Sequence, residues 1–201
     1  MTNIFIESRD NNTPEYVFLK TYLEYIDLPP YAYTIIPVNG KDALYNVVNI
    51  NKMREAIAEN GNNLIIFDAD FDYNQGGYMM RKKDIETTLS LHHINAPIFL
   101  FPNNSDDGDF ESILENIMQK QHHQRFIDCF NDYEKCLGNN YHTPNRKHRL
   151  HTYMFAQKGL TNKERSELGR GKWLFDDKRF WDIDSEYLLQ LREFLLDNLK
   201  K

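Results

Sequence analysis

Acidic residues at separate points of the chain have types and spacings suited to chemistry. Asp68-Ala69-Asp70-Phe71-Asp72 places carboxylates at alternate positions directly after the apolar run Leu64-Ile65-Ile66-Phe67. Hard divalent cations such as magnesium take oxygen ligands, usually one or two carboxylates completed by water and substrate phosphate, and two acids on one strand end can supply that set. The same acids also suit an ordinary loop, as solubilising residues or helix caps, because an isolated Asp-x-Asp is a weak motif. Glu7 adds weight to the metal reading: it ends another apolar run, Ile4-Phe5-Ile6, and parallel neighbouring strands would bring it near Asp68. Asn39-Gly40-Lys41 follows a third run, where Lys41 beside Gly40 can contact a phosphate or simply face solvent. A fourth polar stretch, 103–111, follows the apolar residues 97–101. The pairs His92-His93 and His122-His123, and His148-x-x-His151, do not amount to a zinc site. Three or four converging ligands are needed, and no cysteine or third histidine sits at a suitable spacing.

Positioning these residues requires elements, and the hydrophobic pattern supplies them. Ile4-Phe5-Ile6 reads as a strand, followed by the helix start Thr13-Pro14-Glu15 and by Val17, Phe18, Tyr22, Leu23 and Ile26 at helical spacing. The unit repeats. Residues 33–38 are followed by Val47, Ile50, Met53 and Ile57, with Gly61 as a stop; residues 64–67 by Ile85, Leu89 and His92; and residues 97–101 by a helix that Asp109 caps, carrying Ile113, Leu114 and Ile117. Strands without polar alternation, each separated by a helix, predict an α/β fold with a mainly parallel four-stranded sheet covered by helices on both faces. Ligands gather at the carboxyl ends of such strands, and Glu7, Asn39 to Lys41, Asp68 with Asp70, and 103–109 all fall there. Residues 121–201 lack this rhythm. They predict helices over 122–137 and 149–158, a turn over 139–144 and a terminal helix over 185–199. Trp173, Phe175, Phe180 and Trp181 just before the last helix suit core positions better than base stacking. The expected organisation is an α/β domain over 1–120 with a mostly helical extension over 121–201 packed on it.

With 201 residues, 41% hydrophobic and 13% aromatic, the chain is long and apolar enough to bury a real core. Its apolar runs are far too short to cross a bilayer. The start, Met1 to Arg9, has neither a basic region nor an extended apolar one, so the expected location is cytoplasmic. Cys129 and Cys136 would lie about 10 Å apart along a helix, too far for a disulfide, and are expected to pack as small apolar residues. The net charge of −6 is uneven: residues 1–120 hold 9 basic and 18 acidic residues, whereas 146–179 hold ten basic and four acidic. An acidic body with a basic extension suits a metal site that meets phosphate, and equally a solvated basic face.

Five pieces in order carry a family resemblance: Ile6-Glu7 with Asp10; Asn39-Gly40-Lys41; Asp68-Ala69-Asp70; Pro102-Asn103-Asn104 with Gly108-Asp109-Phe110-Glu111; and Trp181-Asp182-Ile183-Asp184 leading into Leu191-Arg192-Glu193-Phe194-Leu195. Together they resemble the Toprim domain of topoisomerases, primases and OLD-family nucleases, and more closely an uncharacterised bacterial Toprim-like family related to those nucleases. Toprim sequences usually place Gly directly after the Glu, where this chain has Ser8. The resemblance implies Glu7 as general acid/base and Asp68 and Asp70 as ligands of Mg2+ or Mn2+. Asp72 is a further candidate ligand, and Glu111 or Asp109 would complete the site. It implies a magnesium-dependent nuclease or phosphoryl-transfer protein acting on DNA or RNA, with the basic 146–179 region holding nucleic acid and no membrane involved. A non-catalytic Toprim-like binding or regulatory module of a bacterial defence or mobile-element system is the alternative. A phosphatase with Asp68 as nucleophile fits less well, because Asp72 stands where that family wants Thr or Val.

Overall fold

The computed structural model describes residues 1–74 and 76–199. Four strands form one parallel sheet: β1 (Thr2–Glu7), β2 (Tyr33–Val38), β3 (Asn62–Asp68) and β4 (Ile98–Phe101), in the order β2-β1-β3-β4. Between and after them come α1 (Pro14–Tyr25), α2 (Val47–Ala58), α3 (Tyr78–Leu91) and α4 (Phe110–Ile117). The expected α/β architecture is present, with all strand pairs parallel.

Period-two side-chain alternation explains why both faces need cover. Ile4, Ile6, Leu64, Ile66, Phe99 and Phe101 enter one apolar cluster, while Phe5, Ile65, Phe67 and Leu100 enter another on the opposite face. Helices α2 and α3 close the second face through Ile50, Met53, Ile85 and Leu89. Helices α1 and α4 close the first, where the Phe18 and Phe110 rings pack at a tilt with their centroids 5.3 Å apart. Each such buried side chain contributes about 1.5–3 kcal/mol.

The rest of the chain joins that first face through α5 (Lys120–Leu137), α6 (Arg146–Phe155), α7 (Asn162–Leu168) and α8 (Leu189–Leu199). Leu150, Tyr153, Trp173, Phe175, Trp181, Leu191 and Leu195 belong to the same cluster as Ile4 and Phe18, so the extension and the sheet share one core. Trp173, Phe175, Phe180 and Trp181 are all buried, as their position suggested.

Local differences from the sequence reading have physical causes. Helix α6 begins three residues earlier than expected because the Asn145 side chain accepts the His148 N–H at 3.0 Å and caps it. Helix α7 was not foreseen: Thr161 and Glu164 form a capping box in a stretch without apolar periodicity. Helix α5 begins at Lys120 and breaks its helical geometry at His123. Cys129 and Cys136 are exposed rather than packed, since α5 buries only Phe130. No helix among the described residues is long and apolar enough to cross a membrane.

Candidate functional site

From β1 the chain crosses to β2 on one side, and from β3 it crosses to β4 on the other. A crevice therefore opens at the carboxyl ends of β1 and β3, the place where open parallel sheets bind ligands. Glu7 is the last residue of β1 and Asp68 the last of β3, with Ile6 and Ile66 in register just before them. Both line a cleft of about 620 Å³ with Gly40 on one side and Glu15, Lys147 and Arg170 on others. A larger cleft of about 760 Å³ between α5 and α6 is lined by Phe126, Phe130, Tyr133 and His148 and has no carboxylate.

Ser8 follows Glu7 without backbone strain. Its φ is not positive, its side chain is buried, and its Oγ donates to the Asp10 carbonyl at 2.8 Å and lies 2.6 Å from Thr13 Oγ1. Asp10 in turn accepts the Asn12 N–H at 2.8 Å, so the β1–α1 loop is braced. The opposite wall needs a glycine. Gly171 has φ +86, and a Cβ there would run into the Asn12 carbonyl, so only glycine lets the 169–171 segment close on this loop.

The acids at the cleft are electrostatically crowded. Glu7 Oε2 is buried with no hydrogen-bond partner among the described residues. Burial pushes the Glu7 carboxyl above its usual range and the Asp70 charge adds to this, with Arg81, the Asp68 backbone and Lys41 partly offsetting it. Asp68 is raised further, first by burial, then by Glu7, Glu111, Asp109 and Asp70. One Asp68 oxygen accepts the Phe110 N–H at 2.9 Å, at the start of α4. Glu111 is also raised by burial and by Asp109, with Lys147 opposing.

Not every candidate stands in the cleft. Asp70, in a left-handed conformation (φ 60°), is tied by its carbonyl to the Gly108 N–H at 2.9 Å and by its side chain to Arg81. Asp72 is exposed next to Gly77 and does not line the cleft. Lys41 acts on Glu7 by its charge, while Gly40 lines the wall. Glu111 sits just outside, 3.9 Å from Lys147, which also lies 3.5 Å from Glu15. Arg146 binds Asp109 at 2.9 Å and Glu115 at 2.8 Å. Among the described residues, no three His, Cys, Asp or Glu side chains are grouped to hold a metal ion. The residue that sequence reasoning missed is Arg81. Its signal is a charged residue in register with Ile85 and Leu89, on the apolar stripe of α3.

No family model, curated protein or solved structure matches the chain. Of the ten basic residues in 146–179, Arg146, Lys147, Arg149, Lys172 and Arg179 are in ion pairs and Arg165 donates to the Phe155 and Gln157 carbonyls. Lys158, Lys163, Arg170 and Lys178 are exposed without ion pairs among the described residues, and Arg170 lies at the cleft.

Proposed function

We propose that the Glu7–Asp68 cleft is a Toprim-like site that holds a divalent cation, Mg2+ or Mn2+, and cleaves a phosphodiester or transfers a phosphoryl group on DNA or RNA. The observation that carries this reading is the unpartnered, buried Glu7 oxygen beside Asp68 at the topological switch point. A buried carboxylate oxygen without a hydrogen bond is costly, and its persistence argues for a ligand at that oxygen. The donors fit a hard cation: Asp68 has one oxygen engaged by Phe110 and one without a hydrogen bond among the described residues. Magnesium needs no more than one or two carboxylates, with water and phosphate completing its shell.

In this reading Asp68 holds the cation. When bound, the cation supplies charge neutralisation at the phosphate, worth several kcal/mol of barrier. Glu7, whose carboxyl burial pushes above its ordinary range, holds or releases the proton of the attacking or leaving oxygen. Lys147 and Arg170 at the rim attract the flanking backbone. Lys147 makes only long ion pairs, so its ammonium is free to turn toward a phosphate.

The Asp70–Arg81 pair favours a second reading, a non-catalytic Toprim-like binding or regulatory module of a defence or mobile-element system, because it withdraws one acid from the site. Incubation with single- and double-stranded DNA and RNA at low salt with Mg2+ or Mn2+ separates the two. Cleavage that is lost in Glu7→Gln, while cation-dependent thermal stabilisation remains, supports the enzyme. Binding without cleavage, weakening steeply with salt, supports the module. Cleavage that survives Glu7→Gln contradicts the role given to Glu7.

A further inference from the structure

Arg81 is the least exposed charged residue among the described ones, with 5% of its side chain exposed. It stands one and two turns before Ile85 and Leu89, on the face of α3 that packs against the sheet. A leucine or methionine would fill that stripe without cost. Instead the site carries a guanidinium whose Nε is buried with no partner among the described residues. Burying such a charge is expensive unless opposite charge surrounds it. Here the charge is met by Asp70, to which it is ion-paired, and its field also reaches Glu7. Asp70 is held toward it by the left-handed turn and the Gly108 contact.

We propose that the Arg81 guanidinium is a built-in cation: it holds the place beside Asp70 that a second divalent ion would take, so the site admits one exchangeable cation, at Asp68. This rests on the proposed function only in placing that exchangeable cation. Asp70 paired with a fixed positive charge is a poor ligand, since an incoming divalent ion would have to displace or face the guanidinium. Removing the charge while keeping the side-chain bulk frees Asp70 to bind.

Calorimetric titration of the full chain with Mn2+ reads this directly, without any substrate. One ion per chain is expected for the wild type, two for Arg81→Met and one for Arg81→Lys. Asp70→Asn should leave the wild-type count at one. A single ion in both the wild type and Arg81→Met overturns the proposal. So does loss of the wild-type ion in Asp70→Asn, a measurement that stands even if Arg81→Met fails to fold. No ion in the wild type but one in Arg81→Met sustains the built-in cation and refutes the cation bound at Asp68. No ion in either refutes both.

Discussion

Neutralising a residue of a proposed active site usually destabilises nothing or a little, whereas Asp68→Asn should make this protein more stable when no divalent cation is present. The Asp68 carboxyl is raised well above its usual range by burial and by the charges of Glu7, Glu111, Asp109 and Asp70. Asparagine keeps a carbonyl oxygen able to accept the Phe110 N–H, so the hydrogen bond at the start of α4 survives while the charge disappears. One like-charge contact in a partly buried setting is worth about 1–2 kcal/mol. For a chain of this length that corresponds to a rise in Tm of about 2–8 °C. A carboxyl with a raised folded pKa binds its proton more tightly folded than unfolded. It therefore costs stability at neutral pH, and the cost disappears as pH falls through the raised value toward the ordinary carboxylate range. The difference between Asp68→Asn and wild type should accordingly be largest at pH 7–8 and vanish near pH 4. Thermal unfolding by circular dichroism in EDTA across that range measures it. A Tm lowered by the substitution at pH 7.5, or a gain that does not shrink on acidification, would refute the crowding argument.

Three further substitutions test the framework that holds the cleft. Arg146→Met removes the pairs to Asp109 and Glu115 and the 3.0 Å bond to Ser112, and should cost about 1–2 kcal/mol in urea unfolding; a loss under half of that would mean α6 is held to α4 by packing alone. Trp181→Phe leaves the Trp173 carbonyl without the indole N–H at 2.7 Å and a small void in the shared core, costing about 2–4 kcal/mol. An unchanged denaturation midpoint would show that water replaces that donor. Gly77→Ala must adopt φ +100 with its Cβ against an Asp72 oxygen, so about 1–3 kcal/mol should be lost; tolerance of alanine would show that Asp72 moves aside freely.

Strands β1, β3 and β4 were legible because each holds an unbroken apolar run, and β2 because Ile35, Ile36 and Val38 cluster despite the exposed Thr34; two-sided burial of such runs leaves a parallel sheet as the natural arrangement. Asp109 was legible as a cap, and the structure adds its reciprocal partner Ser112. Strand order was not legible, and it matters most: only the order β2-β1-β3-β4 puts the switch point between Glu7 and Asp68. The exposed faces of α5 and the short α7 carry no apolar repeat strong enough to fix their burial or extent, which is why the cysteines were misplaced and α7 was overlooked. Arg81 escaped because a single arginine in a helix reads as surface, and its burial depends on a partner eleven residues away in a loop whose backbone turns left-handed. For the same reason Asp-x-Asp suggested two equivalent ligands, whereas Asp70 lies just past the end of β3 in a left-handed backbone conformation and pairs with Arg81 on α3 while Asp68 lines the cleft. Half of the basic residues of 146–179 answer acids, some far away in sequence, such as Asp109 for Arg146, and some nearby, such as Asp177 for Arg179.

Anomalous diffraction from a crystal soaked in manganese tests the central claim most directly. The expected result is one peak at Asp68, on the cleft side beside Glu7, with Asp70 still paired to Arg81 and no peak in an Asp68→Asn crystal. A peak bound elsewhere, or one that persists at this position in Asp68→Asn, would contradict the assignment of the cleft as a cation-dependent phosphodiester site.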